Sequence, residues 1–210
     1  MATEVTRIQI VTDPVRISFP YLFKKREMKD QDGTRQAERD RYECVLLIPP
    51  STGDAKKIAD AMSKAMAAKF GDDWKSEMSA MEMAKLPLKK CSENKWFKDQ
   101  FADWHFVNSW SKERPNVVDK DFNDIIDPEK VYAGCWCRFQ LTLLAWESKK
   151  GGKLCLVSLD NVMFVADGDR LGGGKKSAKE GFGDKLELKL PEELKAAGDA
   201  ASDDEGNDLF

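Results

Sequence analysis

The sequence predicts a mainly β protein with inserted helices, organised as an OB-fold: a five-stranded Greek-key barrel with additions and a disordered acidic tail. Three observations predict it. Short alternating runs of β-branched and aromatic residues, bounded by turn formers, recur from Val5 to Val165. A single clear helical periodicity interrupts them midway, and a long strand, a Gly-rich basic turn and a second long strand form a hairpin able to curve around a closed sheet.

In order, Val5 to Phe19 (VTRIQIVTDPVRISF) reads as strand, bend and strand, with Asp13-Pro14 as the bend and Val15, Ile17 and Phe19 on one face. Tyr21 and Phe23 then run into Lys24, Lys25 and Arg26. Residues Glu27 to Arg41 are polar around Asp32-Gly33, as in a long mobile loop. Tyr42 to Ile48 is an apolar strand stopped by Pro49-Pro50. A helix comes next: Thr52 or Asp54 caps it, Ile58, Ala61, Met62, Ala65, Met66 and Phe70 form its buried stripe, and Gly71 ends it. Trp74, Met78, Met81 and Leu86 extend helical spacing to Pro87, with the methionines as core filling.

From Lys89 to Arg114 the chain is rich in aromatic and cationic residues, and Trp104, Phe106, Asn108 and Trp110 share the parity of one strand face. Asn116 to Lys130 reads as a loop with an Asp-Pro turn. The long strand, Val131 to Trp146 (VYAGCWCRFQLTLLAW), has one unbroken apolar row in Val131, Ala133, Cys135, Cys137, Phe139, Leu141, Leu143 and Ala145. Its other row holds Tyr132, Trp136, Arg138 and Trp146, where a solvated strand would carry Lys, Glu and Thr. Aromatic planes beside a guanidinium suit stacked bases and phosphate, and they equally suit a strand covered on both faces. Lys149, Lys150 and Lys153 mark the hairpin turn, and Leu154 to Val165 is the return strand.

Residues 168–183 (GDRLGGGKKSAKEGFG) have the glycine spacing of a phosphate loop in Gly168 and Gly173, but Gly174 stands where that motif needs Lys, so the segment reads as a flexible basic flap. Lys185 to Leu190 is a candidate terminal strand. Domain organisation is then one body, residues 1–191, and an acidic, disordered tail, residues 192–210. That tail has seven acids and one lysine, a charge of −6, which leaves +3 on the body of a chain whose net charge is −3.

At 210 residues with 34% charged residues the chain suits one soluble domain, with no apolar run approaching the ~20 residues of a membrane span. Met1 to Asp13 lacks the layout of a secretion signal, so an intracellular protein is expected. Five cysteines without CxxC pairs read as buried thiols, and a lone histidine, His105, removes most His-based catalysis and metal chemistry; no cofactor or metal is expected. An enzyme would have to use Asp119, Asp121, Asp124 and Asp127 as metal ligands, and these lie in a turn-rich loop where solvated charge explains them. A protein-interaction module using the aromatic face is a further reading.

The run Tyr132-Ala133-Gly134-Cys135-Trp136, the hairpin, Leu159-Asp160-Asn161-Val162, Arg170-Leu171-Gly172-Gly173-Gly174 and an acidic end at Phe210 resemble bacteriophage single-stranded DNA-binding proteins. More closely, Met1 to Gly174 is similar to a phage family long labelled a domain of unknown function. The resemblance implies a non-enzymatic OB-fold that coats single strands in phage replication and recombination, in the cytoplasm of the infected bacterium. It implies a tail, here Asp203, Asp204, Glu205, Asp208, Leu209 and Phe210, that competes with DNA and recruits replication proteins such as a polymerase or helicase; a homodimer is compatible with it. The expected DNA-binding residues are Tyr21, Phe23, Lys24, Lys25, Arg26, Trp96, Trp104, Phe106, Trp110, Lys112, Arg114, Tyr132, Trp136, Arg138, Trp146, Lys149, Lys150, Lys153, Arg170, Lys175 and Lys176. None of them reads a base edge in an obvious way, so binding is expected to tolerate sequence.

Overall fold

The computed structural model describes residues 7–148 and 152–172. Expectations that fall on Lys149, Lys150, the flap from Gly173 onward with Lys175 and Lys176, the strand at 185–190 and the tail lie outside the described residues. Backbone contacts divide the chain into Met1–Gly172 and Gly173–Phe210, and every described strand and helix belongs to the first unit.

Among the described residues, eight strands and two α-helices run in the order β1 Arg7–Val11, β2 Val15–Arg26, β3 Arg41–Ile48, α1 Asp54–Phe70, α2 Ala80–Met83, β4 Leu88–Lys90, β5 His105–Ser111, β6 Asn116–Val118, β7 Trp136–Ser148 and β8 Gly152–Ala166. The architecture is mainly β. Five strands pair in a ring, β2 with β3, β3 with β5, β5 with β8, β8 with β7 and β7 with β2. The β5–β8 link is parallel, at Trp110 and Ser158; the other four are antiparallel. Three strands attach outside the ring: β1 on β7, β4 on β5 and β6 on β8.

The ring encloses the core, and period-two alternation explains which side chains enter it. Cys137, Phe139, Leu141 and Leu143 of β7 meet Val157, Leu159, Val162 and Phe164 of β8 and Cys44, Leu46 and Ile48 of β3, all buried. Helix α1 adds Ile58, Ala61, Met62 and Met66 from one stripe. Asp54 fastens its start: the fully buried carboxylate accepts the Asp13 N–H at 3.1 and 3.2 Å and the Lys57 ammonium at 2.9 Å. At its end Gly71 has φ +88°, the left-handed region that a glycine enters without steric cost.

Four expectations give way to the packing. Phe19 does not follow Val15 and Ile17 inward; a register shift between Ser18 and Tyr21 turns it out, at φ +48° and 45% exposed. The stretch 72–86 is a 3-10 turn and one short helix, and Met81 is exposed while Trp74, Met78 and Leu86 are buried. Residues 27–40 fold on themselves around Asp40, whose carboxylate accepts the Met28 N–H at 2.8 Å and the Arg35 guanidinium, and these bonds, that to Arg35 first, hold its pKa below the usual value. Strand β7 begins only at Trp136, because Gly134 at φ +112° makes a turn there.

That turn explains why two distant motifs belong together. A Cβ on Gly134 would lie 2.0 Å from the carbonyl oxygen of Asp169. Tyr132 donates its hydroxyl to Gly168 O and accepts the Gly168 N–H, Leu171 N–H bonds Ala133 O, and Arg170 stacks 4.1 Å from the Tyr132 ring. The run after Val131 and the run after Ala166 are two halves of one clasp. All five cysteines are free and buried, and burial raises the thiol pKa of Cys91 to about 11 and of Cys155 to about 12.

Candidate nucleic-acid interface

The outer side of β2, β3 and β5 has rows set by register. Tyr21 stands opposite Glu43 and Glu43 opposite Trp110, so one row crosses three strands. Arg26 lies over the Tyr21 ring at 5.7 Å and Arg41 over the Trp110 ring at 5.1 Å. Both arginines bind the Glu43 carboxylate, Arg26 at 2.5 Å and Arg41 at 2.7 Å. The carboxylate is the first cause of the raised Arg26 pKa, and the group of three retains one net positive charge. Each of the two aromatic rings thereby has its own guanidinium over it, and both guanidinium groups are tied to one carboxylate.

The next row is Val45 opposite Asn108, and beside it the bulge presents Phe19. A cavity of about 180 Å³ lies among Phe19, Arg26, Arg41, Glu43, Asn108 and Trp110. On the other side of Phe19 a second cavity of about 310 Å³ is lined by Tyr21, Trp96, Phe97, Phe101 and Leu171. Phe19 is common to both, and with the exposed rings of Tyr21 and Trp96 it makes a continuous aromatic track. Lys24, Lys25 and Lys95 are exposed; Lys95 lies over the Trp96 ring of the track at 5.0 Å, and Lys25 over Tyr42 at 5.6 Å.

The third row, Leu47 opposite Phe106, is closed over. Residues 91–104 fold across it, and Phe97 and Phe101 pack with Phe106 and Leu47 into a second core. Phe106, an expected DNA contact, is 5% exposed and belongs to that core, because the same-parity argument could not see the covering segment. Trp104 and Trp136 are half-buried neighbours with centroids 6.3 Å apart, packed with Phe101 and with Arg16. Arg16 itself is buried and gives its Nε hydrogen to Gly134 O and its Nη2 to Asp169 O, so the cation fastens the clasp.

Other expected residues stand elsewhere. Tyr132 and Arg170 are engaged with each other in the clasp. Phe23 packs half-buried on the main core under Arg114, at 5.6 Å. Lys112 donates to the Glu38 and Asp40 carbonyls and pins the 27–40 excursion. Lys153 is ion-paired with Glu77 and lies over Phe70 at 5.3 Å, against the helical side. Arg138 gives its Nε hydrogen to Thr12 O in a different cavity. Trp146 is half exposed, but ten residues from Trp136 on one strand is roughly 33 Å at ~3.3 Å per residue, so those two indoles do not share a pocket.

Sequence reasoning gave no role to Phe19, Arg41, Glu43 or Arg16, and set Asn108 on the strand face only by its parity. Pro20 was a usable signal for Phe19, since a proline inside a strand marks a bulge. The cross-strand row had none, because register between β2, β3 and β5 is not written in any one segment. The Asp119 carboxylate accepts the N–H groups of Asp121 and Asn123 and the Asn123 side-chain amide, which orders the turn. Among the described residues no group of three or more His, Cys, Asp or Glu is placed to hold a metal.

A ring of strands with an exposed aromatic and cationic face defines a class of mainly β proteins. Within that class, the chain belongs to the family of the Enterobacter phage Enc34 ssDNA-binding protein, whose family model matches residues 8–194. Solved structures agree in fold. The single-stranded DNA-binding protein from bacteriophage Enc34 has a TM-score of 0.62 at 20% identity, covering 84% of this chain and 90% of that one. The same protein in complex with ssDNA gives 0.63 at 21%, over 79% and 90%. The gp2.5 single-stranded DNA-binding protein of bacteriophage T7 gives 0.55 at 12%, over 89% and 98%. No curated protein matches the sequence.

Proposed function

We infer that this chain, as a member of that family, is a phage single-stranded DNA-binding protein and not an enzyme. We propose that DNA runs across β2, β3 and β5, with bases on Phe19, Tyr21, Trp96 and Trp110 and phosphates on Lys24, Lys25, Arg26, Arg41 and Lys95. The observation that carries the proposal is the row Tyr21–Glu43–Trp110, in which each aromatic plane has its own arginine. Stacking contributes ~1–3 kcal/mol per base, so three or four rings suffice for micromolar binding without any base edge being read.

The five-strand ring supports a Greek-key OB barrel: four antiparallel pairings closed by one parallel link fit that plan, and β3 and β5 are then the central strands of the binding side. Residues 192–210, with their charge of −6, are proposed to compete with DNA for the same cations and to recruit replication proteins when displaced. The site of action is then the host cytoplasm; among the described residues no helix is long and apolar enough to cross a membrane. The test is a titration with single- and double-stranded oligonucleotides at two salt concentrations. Salt-sensitive quenching of tryptophan fluorescence by oligo-dT is expected, and no quenching at low salt overturns the reading.

A further inference from the structure

A cavity of about 570 Å³ shares no lining residue with the two on the DNA face. Its floor is Phe139 and Val162, and its walls include Val11 and Phe122. Val11 is 47% exposed, Phe122 75%, and the nearby Ile126 81%, a cluster of apolar surface that a monomeric domain ordinarily hides. The turn that presents Phe122 is built to hold it there. Asp119 accepts the N–H groups of Asp121, Phe122 and Asn123 through its carboxylate and carbonyl, and Phe122 sits in the left-handed region at φ +64°. The lining itself carries one acid, Asp124, and one cation, Arg138, and the loop at the rim is acidic: residues 119–130 contain five acids and two lysines. Arg138, the cation in the wall, has its Nε hydrogen on Thr12 O. Such a rim repels a DNA backbone and attracts a basic, apolar protein surface.

The same chain displays that complement. Trp96 is 70% exposed, and the Asn94 side chain pins the turn beneath it by accepting the Trp96 N–H at 2.8 Å. Residues 89–98 contain four lysines and one acid, two of the lysines, Lys95 and Lys98, flanking the indole. We propose that the Phe122 cavity receives Trp96 and its lysines from a second copy of this chain, a head-to-tail contact between neighbours on one DNA strand. This rests on the single-stranded DNA reading for its context, since copies coating one strand face one another at high effective concentration. A knob and a cavity at different places on one surface do not close a dimer; each contact leaves a free knob and a free cavity, so the assembly propagates. Trp96 then serves the track at the end of a row and the neighbour within it.

The test uses the full chain, Asp121→Lys with Asp124→Lys as the cavity variant, and Lys95→Glu with Lys98→Glu added to it as the charge swap. Sedimentation without DNA at low salt reads the contact itself: the wild type is expected to gain mass with concentration, the cavity variant to remain monomeric, and the swap to regain mass. With DNA, the ratio of affinities for a long and a one-protein-length oligo-dT is expected to fall at least tenfold in the cavity variant, with short-strand affinity undiminished; the swap, which alters Lys95 of the DNA face, is read by sedimentation alone. A wild type that is monomeric at every concentration, a cavity variant that associates as the wild type does, or a swap that does not recover overturns the proposal. Loss of short-strand binding in the wild type would instead overturn the DNA reading, and sedimentation would still decide the contact.

Discussion

Phe19 has the backbone of a residue that is not there for the core. It carries a positive φ, it precedes Pro20, and its ring stands 6.3 Å from Phe97 between the two cavities of the aromatic track. A bulge that turns one bulky side chain outward is the kind of local strain that binding sites retain. Phe19→Ala and Trp110→Ala are therefore expected to weaken oligo-dT binding by roughly 5- to 150-fold each, the range of one lost stack, with circular dichroism unchanged. An unfolded Trp110→Ala protein would place that ring in the core. Gly134 answers to a different constraint: its substitution by Ala sets a Cβ 2.0 Å from a backbone oxygen at φ +112°. Gly134→Ala is expected to cost about 2–4 kcal/mol of stability, visible in urea unfolding as a lower midpoint at unchanged slope.

At the level of elements, the short helix α2 is held by one carboxylate. Glu82 closes the capping box with Ser79 and also accepts the Lys153 N–H at 2.8 Å, which ties α2 to the start of β8. The Lys153 backbone bond first, then those from Ser79, lower its pKa to about 2. Because the folded pKa is depressed, this tether is complete above the ordinary carboxylate pKa of ~4.3 and is lost as pH falls from there toward 2. Amide exchange at the start of β8 is expected to quicken in that window, and Glu82→Gln to abolish the pH step. Elements of this kind separate what could be read from sequence. The strands β2, β3, β7 and β8 and helix α1 lay open because their apolar period is long and repeated. The strands β4 and β6, three residues each, carry no period, and the covering segment 91–104 has its meaning only against β5. The same limit governed the site: Tyr21, Arg26 and Trp110 were legible as residue types, whereas their union through Glu43 is a fact of register.

Taken as a whole, the molecule sets cations against acids of its own, and salt is the variable that weighs them. Of the five cations proposed to hold phosphate, Lys24, Lys25, Arg26, Arg41 and Lys95, the two arginines share one carboxylate, Glu43, which already neutralises one guanidinium. Four effective phosphate contacts give a slope of log K against log salt of about −0.7 each, near −3 for a single strand. A slope shallower than about −1 would mean that stacking alone holds the DNA and that the arginines serve only to orient rings. The proposed competition by the acidic segment would enter the same balance. If residues 202–210 compete for those cations, the full chain is already partly neutralised before DNA arrives, so it releases fewer counterions on binding and shows the shallower slope. Deleting Ser202 to Phe210 is thus expected to do two linked things: tighten oligo-dT binding most at low salt, and steepen the slope. Tighter binding at an unchanged slope would point to lost steric cover instead of competition for charge, and unchanged affinity at low salt would leave the acidic segment no part in DNA binding.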